Sequence, residues 1–166
     1  FTAASGGAVA VTNSGLFTLS AAGAITAPGG LSTSGVTTLS NSISTTNSLI
    51  NLCTGGGALT IGSGVTTTLT AGSGGVTIGG ATDGAGTTAS TLIVDAAAGT
   101  VTFTGAVGSG LTTKLAVVTI ANSGALNFNS TLNITGALTQ TNAATGTTTF
   151  SSTVNVGSAT LRGVAY

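Results

Sequence analysis

The feature that most constrains the fold is a repeat of short β-type segments in the last third of the chain. The segments LNF, LNI and LTQ start six residues apart from Leu126 onward, and TTF, VNV and TLR start six apart from Thr148 onward. The second set follows the first by 22 residues. A fixed period in the twenties, with three short strands in each period, is typical of a solenoid in which one period forms one coil.

Similar segments occur along the whole chain, where apolar residues alternate with Thr or Asn as in half-buried strands. Gly, Ser and Asn separate them and favour turns, and the Ala-rich DAAAG from Asp95 is also predicted to be a turn. We therefore predict an all-β chain in which residues 1–166 form a single parallel β-helix domain of roughly 22 residues per coil. It would have roughly seven coils and a length of about 35 Å. The earlier segments are LFTL from Leu16, VTTL from Val36, LTI from Leu59, VTTTLT from Val65, VTI from Val76, LIV from Leu92, VTF from Val101 and VVTI from Val117.

Stacked coils place equivalent residues above one another, so the repeat also predicts the interior. The 22-residue shift maps Phe128 onto Phe150 and Ile134 onto Val156, and Phe103 occupies the same place in VTF. We predict that these five side chains form ladders in the core. At the ends of such a stack the strand edges stay open for pairing with another chain. No polar cap is recognisable near either end of the sequence, which favours end-to-end stacking or a segment of a longer solenoid.

An immunoglobulin-like pilin sandwich is the alternative fold, with residues 1–10 as a donated strand. Sandwich strands have turn signals every 8–12 residues. The six-residue spacing in the C-terminal half argues against this fold, and the N-terminal half leaves it open.

Charge is almost absent, which excludes several classes of partner. Only Asp83, Asp95, Lys114 and Arg162 are charged, 2% of the chain, and the net charge is zero. Globular domains usually carry about 25% charged residues. The basic surface that nucleic acids require is missing, and no apolar run approaches the ~18 residues of a membrane helix. The longest run, LAVVTIA from Leu115, is predicted to be a buried strand. Low net charge also favours self-association.

The stretch GTVTFTGAVGSGLTTKLAVVTI, from Gly99 to Ile120, resembles the repeats of large bacterial surface proteins. These are the β-strand-repeat or filamentous-haemagglutinin-like adhesins, and GGVTIGGA from Gly74 has the same character. The resemblance implies a secreted or surface-anchored parallel β-helix that serves adhesion, biofilm or fibre building, with no catalytic residues to carry over. Because those proteins are much longer, it also implies a fragment or a small relative that polymerises.

The residue inventory argues against an enzyme and against cofactors. Without His or Glu, general acid–base catalysis has few candidate groups, although Asp83 and Asp95 could meet as a pair across a coil. A Ser nucleophile would have only Lys114 as its base. The Gly-rich GGATDGAG makes Asp83 a weak Ca²⁺ candidate, but it lacks the spacing of the Ca²⁺-binding repeats and is more simply a loop. Cys53 is alone, so it is either a small buried hydrophobe or the site of an intermolecular disulfide.

Two classes of function remain. The first is a structural subunit or segment of an extracellular filament, whose main partner is another copy of itself. The second is an adhesin passenger that binds surface glycans or ice through a Thr/Asn face, for which Thr66, Thr68 and Thr70 are the candidate residues. An ice-binding face would need Thr-x-Thr at the same register in several successive coils.

Overall fold

A computed structural model gives the structure of the chain and describes residues 1–108, 115–142 and 145–163. In this part of the chain eighteen short β-strands account for almost all of the regular structure, with one 3₁₀ turn at Gly72–Gly74. The strands are β1 (Val9–Val11), β2 (Phe17–Leu19), β3 (Ile25–Thr26), β4 (Leu31–Thr33), β5 (Thr37–Leu39), β6 (Ile43–Ser44), β7 (Ile50–Leu52), β8 (Leu59–Ile61), β9 (Thr66–Thr70), β10 (Val76–Ile78), β11 (Thr82–Gly84), β12 (Ser90–Asp95), β13 (Val101–Phe103), β14 (Leu115–Asn122), β15 (Leu126–Phe128), β16 (Leu132–Gln140), β17 (Thr148–Phe150) and β18 (Val154–Thr160).

The strands form three parallel sheets that run along the stack. The first sheet has the order β1-β4-β7-β10-β13-β15-β17, the second β2-β5-β8-β11, and the third β3-β6-β9-β12-β14-β16-β18. Isolated bridges from Thr82 to Val107 and from Val107 to Leu132 continue the second sheet. The predicted all-β parallel β-helix of about 22 residues per coil is therefore confirmed. The described residues form seven layers of strands, joined by six coil-to-coil steps.

The immunoglobulin-like alternative is wrong. That sandwich is built from antiparallel sheets, whereas every strand pair among the described residues is parallel. The segment proposed as a donated strand instead pairs within its own chain, since Val9 lies beside Leu31 and Thr2 beside Thr26.

Equivalent residues of successive coils lie directly beside one another, as the repeat predicts. Phe128 pairs with Phe150 and Ile134 with Val156, so the 22-residue register is confirmed. The segments LNI and LTQ belong to one continuous strand, β16. The register of its pairing with β18 shifts between Ile134 and Ala137, where β16 passes from the second sheet to the third. The same holds for VNV and the start of TLR in β18.

Coil length varies in the earlier part of the chain because the turns differ in length. The step from Leu31 to its partner Ile50 takes 19 residues, and the step from Ile50 to Val76 takes 26. Turns can absorb this variation, since only the strands must keep their register. We did not predict β1, β3, β4, β6 or β7, which all lie within the first 52 residues of the chain.

Two further segments differ from the sequence prediction. Thr82–Gly84 is strand β11 rather than a loop, because it pairs in register with β8. β14 was predicted as a buried strand, but it alternates buried Val118 and Ile120 with half-buried Val117 and Thr119. One of its faces therefore contacts solvent.

The interior is a set of apolar columns with one aromatic stack. Phe103 and Phe128 are buried, with ring centroids 4.9 Å apart and planes 3° from parallel. Phe150 continues the stack at 5.4 Å and 4° from Phe128. Ile134 is buried, and Val156 beside it is half-buried because it lies in the last described layer. Offset parallel stacking is a favourable arrangement for aromatic rings.

Corners of the coil bring backbone against backbone, which explains part of the glycine content. A Cβ atom built on Gly80 would overlap the carbonyl oxygen of Gly57 in the preceding coil. Gly15 offers a contrast, because a Cβ atom there would meet nothing within 4 Å. Gly80 is therefore required by close approach between coils, and Gly15 is not.

We expect Gly80→Ala to lower the free energy of unfolding by about 1–3 kcal/mol, the usual range for forced overpacking. Gly15→Ala should be neutral or slightly stabilising, because it only reduces the freedom of the unfolded chain. Urea unfolding followed by circular dichroism measures both. Equal midpoints for the two variants would contradict the close approach of coils at Gly80.

Candidate interaction surfaces

The predicted Thr face lies on the outer side of the third sheet. Thr66 is exposed, and Thr68 and Thr70 are half-buried, whereas Thr67 and Leu69 between them are buried. The three predicted residues therefore share one outward-facing surface of β9. The backbone N–H of Thr68 donates to the hydroxyl of Ser42 in the preceding coil at 3.1 Å.

The neighbouring coil does not repeat this Thr pattern. Thr66 lies beside Thr91, but Thr68 lies beside Ile93 and Thr70 beside Asp95. The surface around β9 is thus a mixture of hydroxyl, aliphatic and carboxylate groups. The regular Thr-x-Thr register over several coils that an ice-binding face would need is not present at this place.

A more regular polar surface, which we did not predict from the sequence, lies on the first sheet. We call it the Thr/Asn array. Its rows come from three successive coils: Thr100, Thr102 and Thr104; Asn127 and Asn129; and Thr147, Thr149 and Ser151. The signal was present in the sequence, where TVTFT, ALNFN and TTTFS each place polar residues on both sides of a Phe.

The Phe stack lies directly behind this array. Thr102, Asn127 and Thr149 are Cα partners in neighbouring coils and face outward, while Phe103, Phe128 and Phe150 next to them face inward. The Asn127 amide lies 3.5 Å from the Thr102 hydroxyl, to which it donates. Neighbouring strands are about 4.8 Å apart, so the array presents uncharged donors and acceptors at a regular spacing on a packed backing.

The layer formed by β1, β2 and β3 leaves apolar side chains open at one end of the stack. We call this surface the N-terminal face. It is a hollow of about 320 Å³ lined mainly by Val9, Val11, Phe17, Leu19 and Ile25. Within the described part of the chain, β1 pairs only with β4 and β2 only with β5, so each has a free edge on this side.

The opposite end is formed by β17 and β18, and we call it the C-terminal face. Phe150 and Val156 are half-buried, and Val154 is 41% exposed. Among the described strands β17 pairs only with β15 and β18 only with β16. Both end faces therefore combine apolar side chains with unpaired strand edges.

The two aspartates lie on different sheets and are not brought together as a pair. The Asp83 carboxylate accepts the N–H groups of Gly84 at 2.8 Å and Leu115 at 3.4 Å. Asp95 accepts the Asn122 amide at 3.0 Å and the N–H of Ala97 at 3.3 Å. Both carboxylates are thus used in local hydrogen bonding.

A Ca²⁺ site at Asp83 stays a prediction without further support. Over the described ranges, no group of three or more His, Cys, Asp or Glu side chains is placed to hold a metal ion. Lys114, the only base considered for a Ser nucleophile, lies outside the described residues.

Cys53 lies in a buried polar corner between the first and second sheets. Its side chain has no exposed surface, and its backbone N–H donates to the Thr33 hydroxyl at 3.0 Å. The hydroxyls of Thr33 and Thr37 are themselves 2.9 Å apart. Burial raises the pKa of the Cys53 thiol, and hydrogen bonds with the two threonines counteract part of this shift. Complete burial favours the interpretation of Cys53 as a core residue over an intermolecular disulfide.

Comparisons with known proteins identify no relative. No protein-family model matches the chain, and neither the curated proteins nor the solved structures contain a significant match. Within the described residues no helix is long and apolar enough to cross a membrane.

The raised pKa of Cys53 predicts a pH dependence of stability. Above the ordinary thiol pKa of 9.0, the unfolded chain loses the proton before the folded chain does. The stabilisation is complete below that pH and is lost as the pH rises toward the folded-state pKa. We expect the free energy of unfolding to fall as the pH rises above about 9, and to fall less steeply in Cys53→Ala. Urea unfolding at several pH values tests this, and identical slopes would contradict it.

Proposed function

We propose that this chain is a structural subunit or segment of an extracellular filament that is built by stacking β-solenoid coils. One observation carries the proposal. The same coil-on-coil pairing runs through all seven described layers and reaches both end faces, where strand edges and apolar side chains remain open. Exposed edges of this kind are templates for pairing with another chain.

The composition supports the same function. In a stack of parallel coils each outward residue lies about 4.8 Å from its equivalent, and like charges at that distance repel. The outward column from Ser32 through Asn51, Thr77 and Thr102 to Asn127 is polar but uncharged. Such a surface can be extended coil by coil without building up repulsion.

The resemblance to bacterial β-strand-repeat and haemagglutinin-like adhesin repeats extends the proposal to the location and role of the filament. On this basis the filament is secreted or attached to the cell surface, and it contributes to adhesion or to a biofilm matrix. The partner that matters most is a second copy of the chain.

We expect the purified chain to associate end to end, and Val154→Lys to prevent it. The substitution places a charge on the C-terminal face, where stacking would bury it without a partner. Val36→Lys is the matched control, because Val36 is equally exposed (42% against 41%) but lies on the side of the stack. Analytical ultracentrifugation and negative-stain electron microscopy measure association.

Thin filaments from the parent chain and the Val36 variant, with short particles from the Val154 variant, support the proposal. Two outcomes would contradict it: a parent chain that stays monomeric at all accessible concentrations, or filaments that the Val154 substitution leaves unchanged.

The Thr/Asn array favours a second function, the binding of a surface glycan. Regularly spaced hydroxyl and amide groups on a packed backing suit an extended chain of sugars, because both partners offer many uncharged donors and acceptors. This function is compatible with a filament, since the array lies on the side of the stack.

If the array binds glycans, Thr149→Lys should reduce co-sedimentation of the protein with insoluble polysaccharide by severalfold. Thr66→Lys, which changes another exposed Thr but on the third sheet, should leave it unchanged. Equal binding by the two variants would exclude the array as the binding surface.

A further inference from the structure

The two end faces differ in which of the three strand positions is still free. On the N-terminal face, β1 and β2 have open edges, but the third position is already filled. Residues 1–3 run parallel to β3 on the side opposite β6. Thr2 bridges to Thr26, the Thr26 N–H donates to the Phe1 carbonyl at 2.9 Å, and the Ala3 N–H donates to the Thr26 carbonyl at 2.9 Å. The Phe1 amino group also donates to the Ala24 carbonyl at 2.9 Å.

The last described layer carries all three of its strand positions. β17 occupies the first sheet and the start of β18 continues the second sheet beside β16. The end of β18 pairs with β16 on the third sheet through Thr160, and the next residues follow the same track, with the Arg162 N–H donating to the Gln140 side chain at 2.9 Å. This layer could therefore cover β1, β2 and β3 together, if the third position were free.

We propose that the N-terminal face binds the C-terminal face of a second copy head to tail, in the same register as the internal coils, and that residues 1–3 act as a latch on this contact. The inference rests on the proposed function. Because residues 1–3 and the end of β18 in the neighbouring copy require the same place on the third sheet, the contact forms fully only when the latch leaves β3.

The columns of the two faces are complementary in this register. Following the paired residues along the stack, Phe150 ends the column that begins with Val11, and Phe150 of one copy would lie against Val11 of the next. Likewise, Val154 ends the column of Phe17. Val156 lies two residues after Val154, and Leu19 lies two residues after Phe17, so the same register would bring Val156 against Leu19. In two of these three contacts a Phe side chain of one copy would meet a Val side chain of the other. The hollow at the N-terminal face gives room for the side chains of the C-terminal face. A second copy of the chain is therefore a complementary binding partner for the N-terminal face.

The register can be tested by cross-linking. Ala10 and Thr149 are exposed, and they form the two ends of one outward column of the first sheet. In a Cys53→Ala background, the double variant Ala10→Cys/Thr149→Cys should form a ladder of reducible multimers, because neighbouring strands bring Cα atoms within disulfide reach. Each single variant should form dimers at most.

The latch can be tested by deleting residues 1–3, or by Ala3→Pro, which removes the N–H that donates to Thr26 and keeps the chain length. A backbone hydrogen bond is worth about a factor of five in an equilibrium constant. We expect the dissociation constant measured by sedimentation to fall by about tenfold or more in the deleted chain, and to fall less in Ala3→Pro. Ser5→Pro, in the turn that follows, is the control and should change little.

The outcomes separate the latch from the filament. Two results would overturn the head-to-tail latch while the filament function stands. In both the parent chain forms filaments, but either the double-cysteine ladder does not appear or the deletion of residues 1–3 weakens association. A parent chain that stays monomeric overturns the filament function, and the latch is overturned with it if the shortened chain also fails to associate. A ladder together with tighter association of the deleted chain supports both.

Discussion

The structure depends on the pairing of each strand with its equivalent in the next coil. This pairing places like residues in columns, so a single register determines the core, the surface and the ends. Inward columns become apolar ladders, of which the stack of Phe103, Phe128 and Phe150 is the clearest. In an outward column the equivalent side chains of neighbouring coils lie next to one another, so they must not repel. This favours Thr, Ser and Asn over charged residues. The scarcity of charge is thus a consequence of the architecture.

The sequence was sufficient to predict the architecture where the repeat is regular. The equal spacing of LNF and TTF predicted the pairing of Phe128 with Phe150, and with it the parallel stack. In the first half of the chain the turns between the short strands vary in length, as the steps around Ile50 illustrate, so the sequence shows no fixed period. Register there is determined by contacts between coils, which a single sequence does not display.

Threonine explains why the surfaces were harder to predict than the fold. Thr33, Thr37 and Thr67 are buried, whereas Thr66 and Thr102 face outward. A β-branched residue with a hydroxyl fits both environments, so a run such as TTTLT does not reveal its orientation. The hydroxyls of these three buried residues have hydrogen-bond partners, as Thr33 and Thr37 have in each other. The Thr/Asn array was recognisable only after the Phe stack had fixed which residues face inward.

X-ray diffraction from filaments aligned by flow would test most directly that coil stacking builds the assembly. If copies continue the solenoid, the strands lie across the filament axis and their spacing repeats along it. The account predicts a strong reflection near 4.8 Å on the meridian, together with a longer axial repeat from the length of one copy. A 4.8 Å spacing found only on the equator, or none at all in ordered filaments, would contradict it.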